Sequence, residues 1–212
     1  MAEERLELLP GQYRSITGDV DAEIVVTRSR FIASLRCASC REEFDLRMRE
    51  IERLYPKASH HCWAYRFTSG QVEHSSDAGE PAGTAGRPIL GALKKHDLLN
   101  TMAVVTRYYG GVNLGIKGLI SAYGDAVLNA IAQTKIVVVE PQSVVSFTMG
   151  YDQYNILLSR LGKYHLAQDA LKTNFAEFIS GEITVPNSVI NQLTGELDSL
   201  SANQTLFRFT IA

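Results

Sequence analysis

Cysteine is scarce in this chain. Cys37, Cys40 and Cys62 are its three thiols, and they do not make a secreted disulfide framework. Reduced thiols in a cytoplasmic protein are expected instead. Long apolar runs are missing too: no stretch approaches the roughly 20 residues that cross a bilayer as a helix. The opening MAEERLELLPG has no apolar run and no signal-peptide layout. An excess of one charge is also lacking. Twenty-one Lys and Arg stand against 23 Asp and Glu, a net charge of −2. Wholesale attraction to nucleic acid or to an acidic membrane is therefore not implied, and a local basic patch would have to carry any such binding. Repeats and low-complexity segments are not seen.

What is present is ordinary globular material. With 45% hydrophobic and 21% charged residues over 212 positions, one or two domains with real cores are expected. Residues 1–19 are polar and read as an irregular lead-in. DAEIVVT and SRFIASLRC read as two strands around a turn near Arg28–Ser29. In REEFDLRMREIERL, Phe44, Met48, Ile51 and Leu54 share a helix face, and Pro56 ends the helix. HHCWAYRF and QVEHS read as strands, and TMAVVTRYY as a buried one. A helix is expected over Ala85 to Lys95, with Thr84 as its N-cap. Ile116, Leu119, Ile120, Tyr123, Val127, Ala130 and Ile131 form one amphipathic stripe, and KIVVVE is another strand.

Composition changes at EPQS, residues 140–143, which places a domain boundary there. Beyond it the order is strand, helix, two strands, helix, strand. Pro186–Asn187 opens the second helix, and Phe207, Phe209 and Ile211 alternate on the last strand. The order βαββαβ is that of a ferredoxin-like domain.

Two glycine-rich segments carry the chemistry. In SSDAGEPAGTAGRPIL, a helix starting near Thr84–Ala85 would present free N–H groups, with Arg87 in its first turn. Such an arrangement suits a phosphate or carboxylate. The alternative is a loop that needs glycine for its geometry, with Asp77 and Glu80 solvated or capping. The second segment, TRYYGGVNLGIKGLISAYGDA, is strand, glycine loop, helix. It is not a P-loop, because Ile116 follows Gly115 where lysine should stand, and its glycines do not fit G-x-G-x-x-G. Arg107 and Lys117 flank this loop and would line an electropositive cleft, or else are surface residues beside a packing glycine.

His60, His61 and Cys62, with Cys37 and Cys40, do not make a zinc site. Adjacent strand histidines face opposite ways, and no second ligand pair follows. His60 or His61 with Asp77 and Glu80 are the candidates for acid–base work. No metal and no cofactor is expected.

HHCWAYR, SDAGEPAGTAGRPIL and VVTRYYGGVNLGIKGLISAYGDA, in this order, resemble the signature of the IMPACT/YigZ family, and SRFIA at 29–33 matches its opening segment. The resemblance is strongest over residues 20–135. It implies an α+β protein with three segments: a lead-in over 1–19, an N-terminal domain over 20–139 similar to domain two of ribosomal protein S-five, and a ferredoxin-like domain over 143–212 similar to domain five of elongation factor G. Such modules commonly contact RNA or ribosomes. The eukaryotic relative regulates translation, partly through an additional N-terminal domain expected to be missing here. This chain departs from the family pattern where Lys117 replaces a glycine and Ser121 the usual cation, four residues apart on one helix face.

The leading expectation is a non-catalytic, translation-linked binding protein of the cytoplasm. Its partner would be RNA, the ribosome or a translation-associated protein, with a phosphate-type anion at the cleft and no membrane. The expected anion- or RNA-binding set is Gly83, Thr84, Ala85, Gly86, Arg87, Arg107, Tyr108, Gly110, Gly111 and Lys117. The alternative is an enzyme acting on a small phosphorylated or carboxylated ligand through His60, His61, Asp77 and Glu80.

Overall fold

The computed structural model describes residues 8–9, 11–164, 166, 170–202 and 208–211. The chain divides into two compact units: Tyr13–Val138, and the described residues from Val139 onward with those before Tyr13. Residues 13–16, expected in an irregular lead-in, are instead strand β1 (Tyr13–Ile16), which pairs with β7 (Ile136–Val139). Polar composition hid this short strand, whose Ser15 is buried against Thr101.

The first unit is built on five strands in the order β2-β3-β6-β4-β5, each antiparallel to its neighbours. They are β2 (Val20–Val26), β3 (Ser29–Cys37), β4 (His60–Arg66), β5 (Glu73–Ser76) and β6 (Thr101–Tyr108). Helix α1 (Arg41–Leu54) covers one face, while α2 (Gly86–Lys95) and α3 (Gly115–Ala132) cover the other. Period-two alternation divides the strands between the two cores. Phe31, Leu35, Cys62, Ala64, Ala103 and Val105 pack with α2 and α3. Tyr65, Phe67, Met102 and Val104 pack with Phe44 and Ile51 of α1. Central β6 is buried on both faces, which explains its nearly unbroken apolar sequence.

Two helices depart from their expected stripes. Leu54 of α1 is exposed. In α3, Leu119, Tyr123, Val127, Ala130 and Ile131 are buried, but Ile116 and Ile120 are 64% and 42% exposed. The stripe is apolar over more of the helix than the sheet covers.

The second unit runs β8 (Gln142–Met149), α4 (Tyr151–Leu161), β9 (Leu171–Phe175), β10 (Ile179–Pro186), α5 (Asn187–Ala202), β11 (Arg208–Ile211). Its antiparallel sheet has the order β11-β8-β10-β9, a ferredoxin-like arrangement. Val145, Phe147, Met149, Ile183 and Val185 face Leu157, Leu193 and Leu197 in its core. Phe209 packs against that core and Ile211 is exposed. Phe207 lies outside the described residues. The fold class is thus α+β, as the sequence implied. No described helix is long and apolar enough to cross a membrane.

The β2–β3 hairpin turns through Thr27 and Arg28, with φ of 45° and 68°. Both central residues are left-handed, a conformation that usually selects Asn-Gly. Gly110, just after β6, presses on this turn. A Cβ there would lie 2.2 Å from the carbonyl carbon of Arg28, backbone that cannot yield. At Gly111 the constraint is conformational only: φ is +80° and nothing lies within 4 Å. Gly111→Ala should therefore cost about 1–2 kcal/mol, and Gly110→Ala distinctly more. Urea denaturation of the two variants checks this order.

Candidate functional site

The loop between β5 and α2 carries the first glycine segment, and its anion is internal. The Asp77 carboxylate accepts the N–H groups of Gly83 (2.7 Å), Ala85 (2.9 Å) and Gly86 (2.8 Å). It therefore occupies the amides at the start of α2, where a phosphate was expected. Thr84 is not the N-cap. Ala85 holds that position, and the Thr84 hydroxyl donates to the Pro81 carbonyl at 2.7 Å. Partial burial pushes the Asp77 carboxyl up, but the three amides, helped by Arg87, outweigh it and hold the group below its usual range. Gly86 is where it is for packing: a Cβ would meet the Ser76 backbone nitrogen at 2.8 Å.

Glu80, on the same loop, reaches into the core. Its Oε1 accepts from Arg107 Nη1 at 2.5 Å and from the Tyr123 hydroxyl at 2.8 Å. The Glu80 and Arg107 side chains are only 4% and 6% exposed. The guanidinium carbon lies over both the Phe31 and the Tyr109 ring, 5.4 and 5.3 Å from their centroids. Its Nη2 contacts Ser29 Oγ at 3.5 Å, and that oxygen accepts the Gly110 N–H at 3.2 Å. Arg107 Nε is buried with no partner. Arg107 was expected to line an electropositive cleft, or else to be a surface residue. The structure corrects this, because β6 alternation turns its side chain under the loop.

Cys62 completes the cluster. Its thiol lies 2.9 Å from the Asp77 carbonyl oxygen and 3.4 Å from the Tyr123 hydroxyl. Burial pushes the Cys62 thiol up to about 12 and raises the Tyr123 phenol as well. Neither is ionised near neutrality, so the thiol is no nucleophile. In the sequence Ser29 is only a turn residue and Tyr123 only a member of an apolar stripe. The signal available was a tyrosine in that stripe, since a buried tyrosine hydroxyl requires a partner.

The two histidines face opposite ways, as strand geometry required. His60 Nδ1 lies 2.9 Å from the Ala78 carbonyl oxygen, so that nitrogen carries the proton. A Cβ at Gly79 would meet the His60 ring at 3.3 Å. His61 Nδ1 meets Thr106 Oγ1 at 3.0 Å on the other face. Only His60 adjoins the loop holding Asp77 and Glu80. Among the described residues no three His, Cys, Asp or Glu side chains converge to hold a metal. Arg87, Gly111 and Lys117 are exposed at the rim, and Tyr108 is half-buried with Arg30 over its ring. Lys117 stands in the first turn of α3, whose N-cap position is Leu114, a residue without a capping group. Ser121 donates to Asp125 at 2.8 Å.

These loops coincide with a recognised domain. Residues 27–131 match the Impact N-terminal domain. The chain is 31% identical over 188 residues to an IMPACT family member of Haemophilus influenzae, covering 86% of this chain and 89% of that protein. This chain belongs to the IMPACT family. It is similarly 30% identical to IMPACT family member YigZ of Escherichia coli, over 83% of this chain and 87% of that one. IMPACT family member YvyE of Bacillus subtilis is 42% identical over 116 residues, a match spanning 54% of each protein. A crystal structure described as a hypothetical protein superposes with a TM-score of 0.66 at 27% identity, covering 95% of this chain and 97% of the other.

Two measurements check the site. Asp77→Ala should lower stability by roughly 1–2 kcal/mol, because three amides lose their acceptor. Chemical denaturation at pH 7 reads this directly. For His61, burial holds the imidazole below its usual range, with Glu52 and the Tyr55 backbone opposing and His60 assisting. The unfolded chain then binds the proton more readily than the folded one. Stability from this residue is full above about pH 6.5 and falls as pH drops below it. Between pH 7 and pH 5.5, wild type should lose more stability than His61→Gln.

Proposed function

We propose that this IMPACT family protein is a non-catalytic regulator that engages the translation machinery through the rim of the two glycine loops. One observation carries the reading. Pro81–His96 and Tyr108–Gly124 contain no carboxylate, and Arg87 and Lys117 stand exposed within them. Arg28 is also exposed, and its backbone abuts Gly110. These exposed cations lie in or beside segments free of carboxylates, on a chain whose net charge is −2. An RNA, ribosomal or translation-factor anion would meet Arg28, Arg87 and Lys117, because Asp77 already fills the α2 terminus and Glu80 already fills Arg107. The backbone of Gly83, Thr84, Ala85, Gly86, Gly110 and Gly111 then shapes the rim. A cytoplasmic location goes with this reading.

The acid–base alternative loses its groups to internal bonds. Asp77 holds three amides, Glu80 holds Arg107 and Tyr123, and His60 is turned to the Ala78 carbonyl. The outer face of the four-stranded sheet offers a cavity of about 470 Å³ lined by Ser146, Thr148, Lys172, Asn174, Ser180 and Glu182. The one aromatic of the lining, Phe147, is buried in the core, so the cavity has no exposed platform of the kind on which unpaired bases stack.

Co-sedimentation with ribosomes at low and moderate salt, with and without nuclease, tests the proposal. Wild type should associate and release as salt rises. A folded Arg28→Ala/Arg87→Ala/Lys117→Ala variant should lose the association. No association at any salt, or association indifferent to the three substitutions, would contradict it.

A further inference from the structure

Four large apolar side chains stand exposed within one short stretch at the loop and first turns of α3. Tyr109 is 49%, Val112 36%, Ile116 64% and Ile120 42% exposed. Scattered exposed apolar residues are ordinary, but a contiguous group is the mark of an interaction site. Ile116 and Ile120 are four residues apart on a helix, so they form one ridge. The loop before them is held in shape, not loose. The Tyr109 hydroxyl donates to Asn113 Oδ1 at 3.1 Å, the Tyr109 ring lies over Arg107, and Gly110 abuts Arg28. Pro88 of α2 lies beside Gly124 of α3, close to where a side chain would begin, which sets the first turn of α2 against the third turn of α3.

Exposed cations border this stretch. Lys117 lies between the two isoleucines in sequence, Arg28 adjoins the loop, and Arg87 is in the first turn of α2. The run from Tyr108 to Gly124 has no carboxylate. An aliphatic ridge with a cationic rim complements an aliphatic ridge with an acidic rim. A phosphate backbone would satisfy the cations but leave Val112, Ile116 and Ile120 uncovered, so the apolar half of the surface favours protein over RNA.

We infer that this surface docks an amphipathic acidic helix of another protein, with apolar side chains set against Ile116 and Ile120 and carboxylates paired with Arg28, Arg87 and Lys117. The inference rests on the binding-protein reading above and names the class of its partner. Helix packing in a shallow groove is a recurrent mode of recognition, with the apolar ridge giving affinity and the charges giving orientation.

The test uses the full chain and fluorescence anisotropy with three probes: an amphipathic peptide with leucines on one face and glutamates on the other, the same peptide with lysine for every glutamate, and a single-stranded RNA homopolymer. The acidic peptide should bind and the lysine peptide should not. Ile116→Asp/Ile120→Asp, at exposed positions and checked for an unchanged urea midpoint, should weaken acidic-peptide binding by about tenfold or more. Lys117→Glu should weaken it too and reduce its salt dependence. Acidic-peptide binding that is absent, or unaltered by the isoleucine substitutions, overturns the inference. So does binding of the RNA alone. Ribosome co-sedimentation separates the two proposals. Association that survives Ile116→Asp/Ile120→Asp while the peptide is also unaffected removes this surface and keeps the translational reading. Peptide binding lost in that variant, without ribosome association in any form, keeps the surface and removes that reading.

Discussion

A carboxylate and a guanidinium, both almost wholly removed from water, meet under the glycine loops. Glu80 and Arg107 are 27 residues apart in sequence, and neither charge could remain buried without the other. Much of the first unit's loop region is arranged around them. Tyr123 brings α3 to the pair, Ser29 and Phe31 bring β3, and Tyr109 lays the β6–α3 loop across the guanidinium. The Asp77 carboxylate fixes the other half of the same loop by capping α2, while its carbonyl meets Cys62. Two glycine-rich segments distant in sequence are thereby tied to one buried cluster.

That arrangement decides which residues face outward. The groups that chemistry would want, a carboxylate pair and a histidine, are engaged inside the protein. What remains at the rim is Arg28, Arg87 and Lys117 with a ridge of aliphatic side chains. The glycines serve the same end. Gly86 and Gly110 let backbones approach closely, and Gly83 and Gly111 supply left-handed turns. Positive φ at Thr27 and Arg28 is a local strain, and Gly110 packs against the Arg28–Ser29 end of that turn.

Periodicity carried most of the fold. The helix over residues 41–54 and the ferredoxin-like order after residue 140 were legible because their apolar positions recur at 3.6 or 2 residues. β6 was legible because burial on both faces leaves an unbroken apolar run. β1 was not, since a strand of four residues with polar members has no period to detect. At the site, Asp77, Glu80 and Arg107 are legible as candidates in the sequence, but their roles depend on which carboxylate reaches which donor. Asp77 caps from nine residues before Gly86, so no local capping pattern near Thr84 announces it. Arg107 read as a loop cation, yet strand alternation buries it. Ile116 and Ile120 fitted a core stripe by spacing alone, and only the extent of the sheet reveals that nothing in their unit covers them.

The Glu80–Arg107 pair holds the two loops as one piece. A double-mutant cycle measures it most directly, with Glu80→Gln, Arg107→Met and the double variant followed by urea denaturation at pH 7. Each single substitution should cost about 3–5 kcal/mol, and the double variant far less than the sum. Additive losses, or single losses below about 1 kcal/mol as for an exposed pair, would contradict it.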